Sequence, residues 1–166
     1  MASQKNPPGP HTPAVPDPKA LQQCQAAIRS LGIRRPSDLN SLLAAVENRR
    51  GRRLVLTAAA MAPACDGMWI ATETTDYIVY EQDTTSGNQL RIISHEIGHM
   101  VLDHQGMPLA SSDVARLFFP NLDPAMVATS LARSVSSAVY SPTEELEAEI
   151  FASLLVSQLD RSPFPR

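Results

Sequence analysis

Residues 92–104 read IISHEIGHMVLDH. His95 and His99 stand four apart with Glu96 between them, in a chain that has four histidines in all. The same stretch is periodic in its apolar groups. Leu90, Ile93, Ile97 and Met100 recur at helical spacing, which predicts a helix capped at Thr85 or Ser86. Residues four apart on a helix share a face. Two imidazoles so placed can converge on one ion at about 2.0–2.1 Å, while a glutamate one step round leans over an open coordination position. An ion there lowers the pKa of a water toward ~7, and the carboxylate takes its proton as the water attacks a carbonyl. His95 and His99 are therefore the expected metal ligands and Glu96 the expected general base. Gly98 is expected to leave room beside the ion. The competing interpretation is an amphipathic helix whose histidines are merely polar.

A catalytic zinc needs a third protein ligand. The metzincin pattern would put a glycine three and a histidine six residues after His99, where this chain has Leu102 and Gln105. His104, five beyond His99, is expected to point round another side of the helix, and no histidine follows it. The third ligand is then expected to be a carboxylate. Half of the eight glutamates fall in EELEAE, residues 144–149. Ser141, Pro142 and Glu144 read as the N-cap, first residue and capping-box partner of a helix running to about Leu159. Acidic residues in a first turn suit the helix dipole without any metal. Glu147 projects into a stripe of Leu146, Ile150, Phe151 and Leu154, and Glu145 lies at its edge. Helical projection slightly favours Glu147 and leaves both open.

Outward from these two helices the organisation is simple. Residues 1–17 hold most of a run of six prolines and few large apolar groups, which predicts a disordered tail. Residues 161–166 read as a second frayed end, leaving one domain over 18–160. KALQQCQAAIRSLGI (19–33) and RPSDLNSLLAAVENRRG (35–51) read as helices stopped by Gly32 and Gly51. RRLVLTAA (52–59), MWIATET (68–74) and TDYIVYE (75–81) read as strands of a small antiparallel meander. Residues 112–139 look helical but are interrupted at FFPNLDP, and the stretch 105–140 is a candidate lid or partner-docking element.

Bulk properties exclude more than they specify. A chain of 166 residues, 43% hydrophobic and 19% charged, is ordinary for one globular domain. A net charge of −3 gives no general case for binding nucleic acid or a membrane surface. No apolar run approaches the roughly 20 residues that span a bilayer, and the first 20 residues hold no secretory h-region. Cys24 and Cys65 read as reduced thiols, consistent with a cytoplasmic protein.

SHEIGHMVLDH followed by EELEAEIFASLLV resembles the ImmA/IrrE metallopeptidases, with their HE(L/I)GH helix and later E-x-x-A-x-x-F-A helix. The likeness covers about residues 50–157. Aligning Ala148, Phe151 and Ala152 carries the zinc-ligand role of that family to Glu145, with Glu147 as the alternate and Glu149 as a group that orients a ligand histidine. The resemblance implies an α+β, zincin-like fold, with a small mainly antiparallel sheet packed against the HExxH helix and a C-terminal ligand helix. It also implies one Zn²⁺ per chain and a regulatory endopeptidase of the bacterial cytoplasm. The implied partner is a protein substrate such as a helix-turn-helix repressor.

Other features are weaker. ENRRGRRL packs four arginines into 49–53 and reads as a solvated loop before it reads as a contact for nucleic acid or an acidic partner. Tyr140 and Arg133 are candidates for stabilising an oxyanion, although a Tyr before a capped helix is more often a packing group. Phe118 and Phe119 read as core. The strand near Tyr77–Glu81 is expected to be an edge that aligns an extended peptide. Two alternatives remain beside the enzyme: a non-catalytic protein that zinc stabilises for partner binding, and a toxin–antitoxin or prophage component.

Overall fold

The computed structural model describes residues 17–33, 38–61, 65–71, 74–104, 107–108 and 138–159, with 107–108 and 138–139 as backbone alone. In chain order these form α1 (Pro18–Ser30), α2 (Leu39–Arg50), β1 (Arg53–Ala59), β2 (Gly67–Ala71), β3 (Thr75–Glu81), α3 (Ser86–Val101), β4 (Met107–Pro108), β5 (Ala138–Val139) and α4 (Pro142–Val156). The expected helical or lid-like span between β4 and β5, with Arg133, Phe118 and Phe119, lies outside the described residues. So do most of both predicted tails. The Asp17 side chain caps α1 by accepting from the Lys19 amide at 3.2 Å.

α3 is the axis of the molecule. Leu90, Ile92, Ile93, Ile97, Met100 and Val101 are all buried, as are Ser94 and His99, so the helix is covered on nearly every side. α4 packs along it, α1 lies on α4, and β2 and β3 cover another flank of α3. Phe151, Leu42, Ile78, Ile93, Ile97, Met100 and Leu155 are the largest fully buried side chains, and they join all these layers into one core.

Gly98 has a different task from the one expected. A Cβ built there would lie 3.2 Å from the Ala148 Cα and 3.3 Å from its carbonyl oxygen, and 3.2 Å from Phe151 Cδ1. Its missing side chain lets the α3 and α4 backbones approach closely and leaves no special space for an ion. The inner face of α4 is correspondingly built on small groups. Ala148, Phe151, Ala152 and Leu155 are buried, whereas Leu146, expected inside, is 52% exposed. This rotation of α4 puts Glu145, one turn before Ala148 and Glu149, on the side that meets α3.

The sheet is mixed and ordered β1-β3-β2, which corrects the antiparallel meander. β1 runs parallel to β3, and β2 runs antiparallel to it. β1 and β2 are not joined as a hairpin: they pair with opposite flanks of β3. β3 therefore has a partner on both flanks, and Tyr77–Glu81 is the centre of the sheet, not an edge. The edge beside α3 is β2.

The arginine cluster is partly a fastener. Arg50 Nε sits 2.6 Å from Oδ2 of Asp76, a carboxylate only 1% exposed, and Trp69 Nε1 donates to Oδ1 at 3.0 Å. Arg50 also donates to the Met100 carbonyl at 3.2 Å, and Arg49 to that of Val101 at 3.0 Å. These carbonyls end α3 and have no partner within the helix. Gly51, in the left-handed conformation at φ 66°, turns the chain out of α2 so that both arginines can reach back.

Candidate metal centre

α3 presents His95 and His99 one turn apart, and their Nε2 atoms stand 3.0 Å from each other. α4 supplies the third group. Glu145 Oε2 lies 3.2 Å from His95 Nε2, and Oε1 lies 3.9 Å from His99 Nε2. Donors bound at 2.0–2.1 Å to a tetrahedral ion are separated by about 3.3–3.4 Å. The two imidazole nitrogens and the Glu145 carboxylate, with one ligand atom from each within 4.8 Å of the others, are close enough to converge on a single small cation. Among the described residues, these three side chains alone form a group of three or more that could hold a metal ion.

Glu147, the alternate ligand, is engaged elsewhere. Its Oε2 is 3.1 Å from His104 Nε2, and His104 Nδ1 is 2.9 Å from His99 Nδ1. His104 therefore does not point away from the site. α3 ends at Val101, Asp103 takes a left-handed conformation at φ 56°, and the His104 amide donates back to the His99 carbonyl at 3.1 Å. This closing turn folds His104, 7% exposed, onto the far side of the His99 ring.

Glu149 is poorly placed as the partner of a ligand histidine. It stands 3.5 Å from His95 Nδ1, outside hydrogen-bond geometry, and is 3.0 Å from Arg91 Nη1 instead. His95 Nδ1 is accordingly a buried ring nitrogen with no hydrogen-bond partner among the described residues. Tyr140 stacks on His99 with ring centroids 3.6 Å apart and planes 14° from parallel, so its demonstrated contact is through the ring face. Burial first, and then the nearby Glu96 charge, push its phenol well above the usual range.

Glu96 is buried between α3 and β2. A Cβ at Gly67 would overlap Ile92 Cγ2 and lie 3.1 Å from Glu96 Oε1, so only glycine lets the strand lie this close. Burial, and then the charge of Glu145, raise the Glu96 carboxyl to about 8, against a smaller lowering by the Trp69 backbone. His99 is pushed the other way, to about 3, by burial and then by the imidazoles of His95 and His104. Both groups thus favour their neutral forms before any cation is added. A carboxyl near 8 is suited to proton exchange at neutral pH, and a neutral imidazole is the form that ligates metals.

Among the described residues no strand pairs with the flank of β2 that faces away from β3. The Glu81 amide donates to the Asp66 carbonyl at 2.8 Å, which marks that pair as hydrogen-bonded. By the alternation of an antiparallel ladder, the backbone groups of Gly67, Trp69 and Ala71 face away from β3. The Gly67 carbonyl accepts from Cys65 Sγ at 3.2 Å.

Comparison with protein-family models, with curated proteins and with solved structures returned no match.

Proposed function

We propose that the chain is a zinc-dependent metallo-endopeptidase in which His95, His99 and Glu145 hold the ion and Glu96 handles the proton. The observation that carries this is the convergence of three donors from two helices, with a buried carboxyl of raised proton affinity beside them. Zinc held there would supply Lewis acidity, lowering the pKa of a water and polarising the scissile carbonyl. Glu96 accepts the proton of the attacking water and delivers it to the leaving amine. Its proton affinity near neutrality serves both halves of that exchange.

The outward backbone groups of Ala71 on β2 can pair with an extended substrate and lay it beside Glu96, whose carboxyl is hydrogen-bonded by the Trp69 backbone. This replaces Tyr77–Glu81, which is closed on both sides by β1 and β2. Tyr140 keeps the His99 ring in plane. A helix-turn-helix repressor as substrate and a cytoplasmic setting rest on the resemblance of the two helix motifs alone. Among the described residues no helix is long and apolar enough to cross a membrane.

The test is cleavage of candidate repressors and unstructured peptides by zinc-loaded wild type and Glu96→Gln. The variant should keep its zinc and lose at least about 100-fold in rate, the lower range for removing a general acid–base group. Equal cleavage by both would rule out this mechanism. Zinc binding without any cleavage, and with partner binding unaffected by Glu96→Gln, would favour an ion that merely clamps α3 to α4.

A further inference from the structure

The pair His104–Glu147 has no part in the chemistry above, yet it is one of the few buried polar contacts linking α4 to the end of α3. It rests on an unusual local conformation. Asp103 is the only non-glycine residue with positive φ among the described residues, a conformation that L-residues other than Asn and Asp seldom adopt. Arg49 steadies the turn, donating to the Val101 carbonyl and lying 3.8 Å from the Asp103 carboxylate. The result of that turn is one ring contact, His104 Nδ1 against His99 Nδ1 at 2.9 Å.

The donors in this chain can be assigned from one end. A carboxylate can only accept, so the 3.1 Å contact at Glu147 places a proton on His104 Nε2. In a neutral imidazole the other nitrogen is then an acceptor. With His104 neutral, the 2.9 Å contact between the rings uses a proton on His99 Nδ1. That leaves a lone pair on His99 Nε2, the atom 3.0 Å from His95 Nε2 and 3.9 Å from Glu145 Oε1. A doubly protonated His104 would reverse the order and put a proton on His99 Nε2, where it would oppose a cation.

We propose that Glu147 and His104 are positioning residues that hold His99 in its Nδ1–H tautomer and keep the Nε2 lone pair directed at His95 and Glu145. The purpose assigned to that lone pair rests on the metal site proposed above; the tautomer itself does not. Groups that fix a ligand imidazole in this way commonly contribute 10–100-fold to metal affinity. Tyr140, stacked on the same ring, restrains its plane while the relay sets its protonation pattern.

The experiment uses the metal-free, ¹⁵N-labelled full chain at neutral pH and reads ring nitrogens by long-range ¹H–¹⁵N correlation. Four histidines keep the spectrum assignable by single substitutions. His99 is expected as Nδ1–H and His104 as Nε2–H. The second arm is Glu147→Gln, near-isosteric, whose amide can either accept or donate and so removes the directional constraint without opening a cavity. It should leave the backbone amide spectrum intact, give His99 a mixture of tautomers, and weaken zinc binding about 10-fold in chelator competition.

His99 found as Nε2–H in the wild type would overturn the relay. So would a folded Glu147→Gln with unchanged tautomers and zinc affinity. A wild type that shows the expected tautomers but binds no zinc would keep the relay and remove the metal site, so the two failures are distinct.

Discussion

Replacing Glu96 with Gln should change how the stability of the metal-free protein depends on pH. The carboxyl rises from its ordinary 4.5 to about 8, first through burial and then through the Glu145 charge. Each pH unit of difference between native and unfolded states corresponds to about 1.4 kcal/mol. The ceiling is therefore roughly 5 kcal/mol, and structural relaxation reduces it to a few. The sign follows from proton counts. Below about 4.5 the group is protonated in both states and contributes nothing. Between about 4.5 and 8 the unfolded chain releases a proton that the native chain keeps, so stability falls as pH rises. Above about 8 both are ionised and the full penalty remains.

His99 acts in the opposite direction. It drops from 6.5 to about 3, so its neutral form loses ground to the protonated unfolded chain as pH falls below about 6.5. That term is common to wild type and Glu96→Gln and cancels in their difference. Urea denaturation with chelator present, from about pH 5 to about pH 9, should show wild type losing up to about 1.4 kcal/mol per unit relative to the variant. Zinc should shrink that slope, because a nearby cation favours the carboxylate. Parallel curves for the two metal-free proteins would refute the claim that Glu96 is buried and proton-holding.

Gly98→Ala should force α3 and α4 apart at Ala148 and Phe151, costing about 1–3 kcal/mol in urea melts and weakening zinc binding together with it. Asp76→Ala should cost about 3–5 kcal/mol by leaving Arg50 and Trp69 Nε1 without their buried partner, read by the same melts. Gly67→Val should lower both stability and activity, since its side chain would overlap buried Ile92 and press on Glu96; thermal melting and peptide cleavage read the two. Relative to His99→Gln, the metal-free wild type should lose stability as pH falls below about 6.5, because only the wild-type unfolded chain gains a proton at that position; urea melts of the two proteins read the difference.

Much of the site was legible because it lies within local repeats. His95, Glu96 and His99 occupy one helical turn, and the Ser141–Pro142–Glu144 cap fixes where the second helix starts. Both sides of that capping box are present, at 3.3 and 2.8 Å. What failed were decisions that depend on tertiary approach. Side-chain hydrophobicity alone places Leu146 inside, whereas the close approach of Gly98 to Ala148 and Phe151 sets the orientation of α4 and leaves Leu146 exposed. The antiparallel expectation for the sheet fails because strand patterns carry no direction, and the placing of β1 and β2 on opposite flanks of β3 is a tertiary choice.

His104 was misplaced because helical geometry was extended past Val101. The left-handed turn at Asp103 reverses it, and an aspartate at that point is a weak signal of such a turn. Arg50, Trp69 and Asp76 belong to three separate elements, α2, β2 and β3, and nothing in their spacing announces that they meet. The four arginines looked like one surface feature, whereas Arg49 and Arg50 face inward to end α3.

The most direct measurement is zinc per chain and zinc affinity for wild type, Glu145→Ala and Glu147→Ala. The expected result is about one zinc in wild type, loss of tight binding in Glu145→Ala, and retained though weaker binding in Glu147→Ala. A wild type that takes up no zinc even when refolded with it, or a Glu145→Ala variant that binds as well as wild type, would contradict the metal centre built from His95, His99 and Glu145.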